Sequence, residues 1–159
     1  MNIKYCFIKE EYFKLHNDYI NMLDAGNTLK QSRRSHLCLC IESNDNNFLI
    51  PLRNNLGEDL RKFGRIGHSI PSEKRGKAGL DYRYALVINN NKYLEWQNER
   101  KIPRSQYRAI ERDISHIRKE FEVYLNGYIK AYKKKRVNKE PLYRVSSLIN
   151  YNQELKLQQ

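Results

Sequence analysis

Three short groups of basic and polar residues could do phosphate chemistry: Arg33-Arg34-Ser35-His36, Arg53-Asn54-Asn55 and His68-Ser69. Guanidinium groups neutralise charge that builds on a phosphate, and imidazole takes or gives a proton near neutral pH. RNA brings its own nucleophile, the 2′-OH. An enzyme acting on it must remove the 2′ proton, neutralise the pentacoordinate phosphorus centre and protonate the departing 5′ oxygen. The residues expected to carry these tasks are Arg34, His36, Arg53, Asn54, His68 and Ser69.

Other chemistries find little support. Cys38-Leu39-Cys40 has the wrong spacing for zinc and lacks a second pair, while His16, His36, His68 and His116 are scattered. His16 and His116 read as structural. There is no Gly-Lys-Ser/Thr phosphate loop, no Gly-x-Ser-x-Gly elbow and no evident acidic pair of the kind that holds Mg²⁺. The sequence predicts no metal ligand set and no cofactor, so a phosphodiester would be cut without a metal.

The elements that must position these groups are legible in outline. Residues 2–8 read as a strand and 9–23 as a helix with Tyr12, Leu15, Tyr19 and Met22 inward, ended by Gly26. Gln31 to Ser35 is a polar connector. His36–Ser43 alternates, Asn44-Asp45-Asn46-Asn47 is turn chemistry, and Phe48–Leu52 returns, with Pro51 marking an edge or strand end. A hairpin so built brings Arg34 and His36 near Arg53 to Asn55. Residues 54–82 are irregular and glycine-rich. Tyr84–Asn89 is a strand, with Lys92–Trp96 as its possible partner beyond an Asn-rich turn. From Ser105 to Lys135, Tyr107, Ile110, Ile114, Ile117, Phe121, Tyr124 and Tyr128 recur at alternating three- and four-residue spacing, the stripe of a core-facing helix. Beyond Pro141 a last helix spans 143–155, with Val145, Leu148 and Tyr151 inward. Tight turns between strands and helices at the chain ends point to one α+β domain over 1–159.

Charge points to an anionic partner. The chain carries 30 Lys+Arg against 18 Asp+Glu, a net +12, and the excess is clustered. Residues 61–83 hold seven basic residues against two acids, among them Lys74, Arg75 and Lys77. Residues 130–139 hold six and no acid, including Lys133, Lys134 and Arg136. Arg33, Asn55, Arg104 and Arg108 extend the expected RNA contacts, and Tyr12, Tyr82 and Tyr107 are candidates to stack on unpaired bases. No apolar run approaches the roughly 20 residues that span a bilayer. The N-terminus is too short and too soon charged for a secretory signal, and three cysteines fit a reducing compartment, so a cytoplasmic location is expected.

The order of elements resembles a known family. Lys4 to Leu23, Arg34 before Leu37-Cys38-Leu39-Cys40-Ile41-Glu42, Phe48-Leu49-Ile50-Pro51-Leu52, Tyr84-Ala85-Leu86-Val87-Ile88 and Pro103-Arg104-Ser105-Gln106-Tyr107 are similar to the ToxN/AbiQ endoribonucleases of type III toxin–antitoxin systems. His68-Ser69-Ile70-Pro71 through Tyr82 looks like the CptN branch. The resemblance implies a Kid/MazF-like fold, a compact twisted antiparallel sheet with surrounding helices. It implies metal-independent cleavage to 2′,3′-cyclic phosphate and 5′-OH ends. It also implies a repeated pseudoknot RNA antitoxin that the toxin cuts and then holds in a closed protein–RNA assembly, and a role in abortive response to phage. By position, the family's active-site lysine falls on Arg34, its hydroxyl pair on Arg53 and Asn54, and its two tyrosines on Tyr12 and Tyr107. Arg53 and Asn54 lack a hydroxyl, and arginine is a poor base. Proton transfer would then fall to His36, His68 or a tyrosine, or rest on positioning and charge alone.

On this reading Arg34→Ala and Arg53→Ala each abolish growth arrest and cleavage without unfolding. The alternative is a non-catalytic basic protein that binds RNA or DNA and never cuts. A DNA-binding regulator is disfavoured, because the long helix is core-patterned and no short helix-turn-helix is evident.

Overall fold

A computed structural model describes residues 4–41, 45–97 and 102–157. The start of the first expected strand, at Asn2 and Ile3, the end of the second, at Glu42 and Ser43, and Asn44 of the expected turn lie outside the described residues. The architecture is α+β: a seven-stranded sheet whose paired neighbours are all antiparallel, and one long helix. The strands are β1 (Lys4–Ile8), β2 (His36–Ile41), β3 (Asn46–Arg53), β4 (Gly67–Ser69), β5 (Gly79–Asp81), β6 (Leu86–Val87) and β7 (Leu94–Trp96). The helices are α1 (Glu10–Leu15), α2 (Thr28–Ser32), α3 (Gly57–Phe63) and α4 (Arg104–Lys133). The strand order is β4-β5-β3-β2-β1-β7, with β6 also on β3.

The hairpin is the frame of the sheet. Leu37 pairs with Ile50 and Leu39 with Phe48, so these four apolar side chains share one face, and all are buried. The α4 stripe covers that face. Phe121 meets Phe48 edge-on at 5.0 Å, and Tyr107 lies 5.9 Å from Tyr5, which pairs with Leu37. Ile110, Ile117, Phe121, Tyr124 and Tyr128 are buried as the spacing predicts. On the opposite face His36 and Pro51 lie against Phe13, Tyr84 and Leu86.

Pro51 neither ends its strand nor lies on an edge, because β3 is central and runs on to Arg53. The Leu52 N–H donates to Ser35 on the β2 side. Strand N–H groups alternate, so the Pro51 nitrogen faces the other side. There β6 pairs with Phe48 and Leu49 and β5 with Leu52 and Arg53, and Pro51 falls in the gap between them.

Several elements depart from the expected ones. The first helix stops at Leu15, which is exposed, and residues 16–26 form turns. Asn21 and Asp24 take positive φ there, and the Ile20 N–H and C=O both bond the Asn150 side chain. Part of the connector at 31–35 is helical, as the end of α2. Only Leu86–Val87 of 84–89 is strand, and β7 pairs with β1 rather than with it. The segment 143–155 is not a helix but turns around a short 3-10 segment, although Leu148 and Tyr151 do point inward. β4 and β5 approach so closely that a Cβ at Gly79 would meet the His68 carbonyl oxygen at 2.6 Å.

Candidate active site

A cleft of about 880 Å³ opens at the foot of the hairpin. Arg33, Arg34 and Ser35 enter it just before β2, Leu52 and Asn54 from the end of β3, and Ser72 to Arg75 from the β4–β5 loop. The start of α4 closes it with Arg104, Ser105 and Gln106. Its described lining carries Lys30, Arg33, Arg34, Lys74, Arg75 and Arg104 against a single acid, Glu73. The first turn of α4 has no acidic residue, so its free N–H groups add to the positive potential. Buried Gln106 donates to the Ile70 carbonyl at 2.7 Å and ties the loop to the helix.

Arg34 is fixed in the cleft wall. Its Nε and Nη2 donate to Asp24 and its Nη1 to the Leu52 carbonyl at 3.1 Å. That occupies three of the five guanidinium N–H donors and leaves two for an incoming anion. Lys30 also pairs with Asp24 at 3.2 Å, so two cations share one carboxylate and the group stays net positive. Burial works against the charge of Asp24, but the hydrogen bonds and charges of Arg34 and Lys30 outweigh it and hold the carboxyl below its usual pKa.

Arg53 does not enter this lining. Strand alternation turns it away from Leu52 and Asn54, and its Nη1 donates to Asp81 at 2.8 Å while its guanidinium lies over the Tyr84 ring. Asp81 is fully buried and also accepts from Arg83. Two arginines on one buried carboxylate form a structural node.

The expected proton-transfer groups lie elsewhere. His36 is buried, with Nδ1 at 3.0 Å from the Arg34 carbonyl. A carbonyl only accepts, so Nδ1 carries the proton. Burial pushes the His36 pKa down to about 4 and keeps the ring neutral. His36 thus props the backbone of Arg34 from behind. His68 lies against α4, between Glu120 at 2.6 Å and Asp113 at 3.1 Å. Ser69 is exposed on β4, outside the lining.

The expected RNA contacts divide. Arg33, Lys74, Arg75 and Arg104 line the cleft. Asn55 and Arg108 are exposed but outside the lining, and exposed Lys77 pairs with Glu58. Tyr12 and Tyr82 are not exposed stacking platforms. Tyr12 is buried with its hydroxyl on Tyr151, and Tyr82 is buried with its hydroxyl donating to Glu120. Tyr107 is half-buried beside Tyr5. Lys133, Lys134 and Arg136 are exposed at the far end of α4, about 44 Å from Arg104 at 1.5 Å per residue.

Sequence reasoning missed Asp24, Lys30, Glu73 and Gln106 as parts of the site. Nothing in the local sequence around Asp24 announces its role, which arises only when the turn at 21–26 folds beside the foot of β2. The three described cysteines are free thiols; burial pushes Cys6 up to about 12 and Cys38 up to about 11, so neither offers a thiolate.

No protein-family model matches the sequence, and no curated protein matches it. Solved structures do. One is AbiQ, a lactococcal anti-phage endoribonuclease belonging to the type-III toxin–antitoxin system. It is 15% identical, with a TM-score of 0.59 over 80% of this chain and 83% of that one. Another comes from a bacterial type III toxin–antitoxin system with selective toxin inhibition by a non-coding RNA pseudoknot. It is also 15% identical, with a TM-score of 0.52 over 99% and 100% of the two chains. The chain shares their fold.

Proposed function

We propose that this protein is an endoribonuclease toxin of the type III kind, cutting RNA in the cleft at the foot of the β2–β3 hairpin. One observation carries the reading: a groove on a toxin-type fold with six described cations against one acid, and a guanidinium fixed in its wall. Such a groove attracts a polyanion, and an immobilised donor pair suits charge that develops on a phosphorus centre.

In this reading the 2′-OH attacks the adjacent phosphorus and the 5′ oxygen leaves, giving 2′,3′-cyclic phosphate and 5′-OH ends. No metal takes part. Arg34 clamps the non-bridging oxygens, with Arg33, Lys74, Arg75 and Arg104 holding the flanking phosphates. Asn54 offers an amide to a base or sugar. Glu73 is the carboxylate of the described cleft lining and takes the 2′ proton, and the hydroxyls of Ser35, Ser72 and Ser105 can relay that proton to the departing 5′ oxygen, so none is gained or lost. The partner is a repeated pseudoknot RNA that the toxin processes and that then occupies the groove in a closed protein–RNA assembly. Abortive response to phage, in the cytoplasm, is the proposed role.

The test is incubation of the pure protein with RNA in excess EDTA, followed by analysis of the ends. Cuts bearing cyclic phosphate and 5′-OH support the proposal. Tight, salt-sensitive binding without any cut favours the non-catalytic binding reading.

A further inference from the structure

The α4 surface carries a second group of side chains that the cleft does not use. Asp113, His116 and Glu120 follow one another at spacings of three and four residues and so share one stripe of the helix. His68 reaches them from β4. Its Nδ1 lies 2.6 Å from Glu120 Oε1, and its Nε2 lies 3.1 Å from Asp113 Oδ2. His116 Nε2 is 3.7 Å from Glu120 Oε2, and the two imidazole rings sit 5.8 Å apart at 68°. One ligand atom each from His68, His116 and Glu120 lies within 4.8 Å of the others.

We propose that His68, His116 and Glu120 form a binding site for a divalent transition-metal ion, Zn²⁺ foremost, that staples β4 to α4. Two imidazoles and a carboxylate are a zinc donor set. Zinc bonds of about 2.0–2.2 Å in tetrahedral geometry place ligand atoms about 3.3 Å from one another. The 2.6 and 3.7 Å distances run to the two different oxygens of Glu120, and with one donor atom from each residue the set spans up to 4.8 Å, so the exposed His116 ring has to swing inward to complete it. The outer shell also fits. Asp113 faces the second ring nitrogen of His68, the carboxylate–histidine arrangement that orients a metal-bound imidazole. Tyr82 donates to Glu120 at 3.0 Å and fixes the carboxylate. His116 is exposed, and its ring is turned toward Glu120 and His68, as an i,i+4 pair on α4 allows and as a shared ion requires.

The ion takes no part in phosphoryl chemistry. Asp113 lies about 10 Å along α4 from Gln106 in the cleft wall. It acts on the fold instead: the basic 70–78 loop springs directly from β4, so a staple at His68 braces that wall of the cleft against α4.

The full-length protein is stripped with EDTA, exchanged into metal-free buffer and titrated with ZnCl₂ by calorimetry, with parallel thermal melts. One saturable site with Kd on the order of micromolar or below is expected, and a higher Tm when zinc is present. His116→Ala should leave the metal-free Tm unchanged, because the side chain is 70% exposed. It should weaken zinc at least about tenfold, by analogy with the cost of losing even an outer-shell partner. Glu120→Gln, which keeps an acceptor for Tyr82, should weaken it likewise. No saturable binding, or binding equally tight in both variants, overturns the proposal, the latter by placing the ion elsewhere. None of these readouts depends on RNA cleavage.

Discussion

Arg34 Nε and Nη2 both donate to a single oxygen, Oδ2 of Asp24, at 3.0 and 2.8 Å. A residue ten positions upstream in a turn therefore sets the angle of the guanidinium in the cleft wall. Asp24→Asn keeps one acceptor but loses the charge that holds Arg34 and Lys30. Orientation errors of about 1 Å cost on the order of 100-fold in rate. Asp24→Asn is expected to slow single-turnover cleavage about 10- to 100-fold. RNA affinity should hold or rise, since the variant is more positive by one charge. A variant that loses affinity and keeps its rate would show that Asp24 serves the RNA and not Arg34.

Arg53 and Asp81 make a contrasting pair. Asp81 is fully buried and holds both Arg53 and Arg83. Removing the carboxylate strands two cations, so Asp81→Ala should destabilise the fold by about 3–5 kcal/mol. Arg53→Ala leaves Asp81 with Arg83 and should cost about 1–2 kcal/mol. Its cleavage rate per folded molecule should stay near that of the unmodified protein. Urea melts alongside rates corrected for folded fraction separate the two effects; a stable but inactive Arg53→Ala would return Arg53 to the catalytic group.

Buried His36 gives the fold a sensitivity to acid. Its pKa is about 4 in the folded chain and near 6.5 when unfolded, because burial penalises the charged ring. Above pH 6.5 both states are neutral at this site and it contributes no slope. Between pH 6.5 and 4 the unfolded chain binds a proton that the folded chain refuses, so stability falls as pH falls, by about 3 kcal/mol across the window. His36→Gln should flatten that part of the stability–pH curve. The same shift keeps His36 from acting as an acid or base, so no inflection in the cleavage rate should trace to it.

The two basic regions should separate by salt dependence. Replacing Lys74, Arg75 and Arg104 with Ala removes phosphate contacts in the cleft, and each contact contributes about 0.7 to the slope of log K against log salt for a single strand. The triple variant should lose about 2 in slope and most of its cleavage. Replacing Lys133, Lys134 and Arg136, far along α4, should leave cleavage of a short RNA unchanged. Equal losses from both sets would place RNA along the whole helix.

Patterns that depend on regular spacing were legible in the sequence. The β2–β3 alternation foretold Leu37 and Leu39 on one buried face, though not the register, since Asn46 and Asn47 of the expected turn pair with Ile41 and Cys40, and the stripe from Ile110 to Tyr128 foretold α4. Patterns overridden by distant partners were not. The spacing of Tyr12, Leu15, Tyr19 and Met22 suits a helix, yet the backbone at Ile20 and Asn21 bonds Asn150 and Ser147 instead. At the site, hairpin geometry rightly brought Arg34 and Asn54 to one cleft. The same alternation that buries Leu39 turns Arg53 to the other side of β3, where Asp81 takes it. His68 and His116 looked unrelated because 48 positions separate them, and only the packing of β4 on α4 brings them together.

The fixed guanidinium of Arg34 is the centre of the account, and Arg34→Ala tests it most directly. Cleavage of a short RNA by this variant is measured under single-turnover conditions, at a temperature where its circular dichroism matches that of the unmodified protein. Loss of one preorganised charge-stabilising donor costs about 100- to 1,000-fold, and a drop of at least that size is predicted with the fold intact. A folded Arg34→Ala that cuts at the original rate would contradict it.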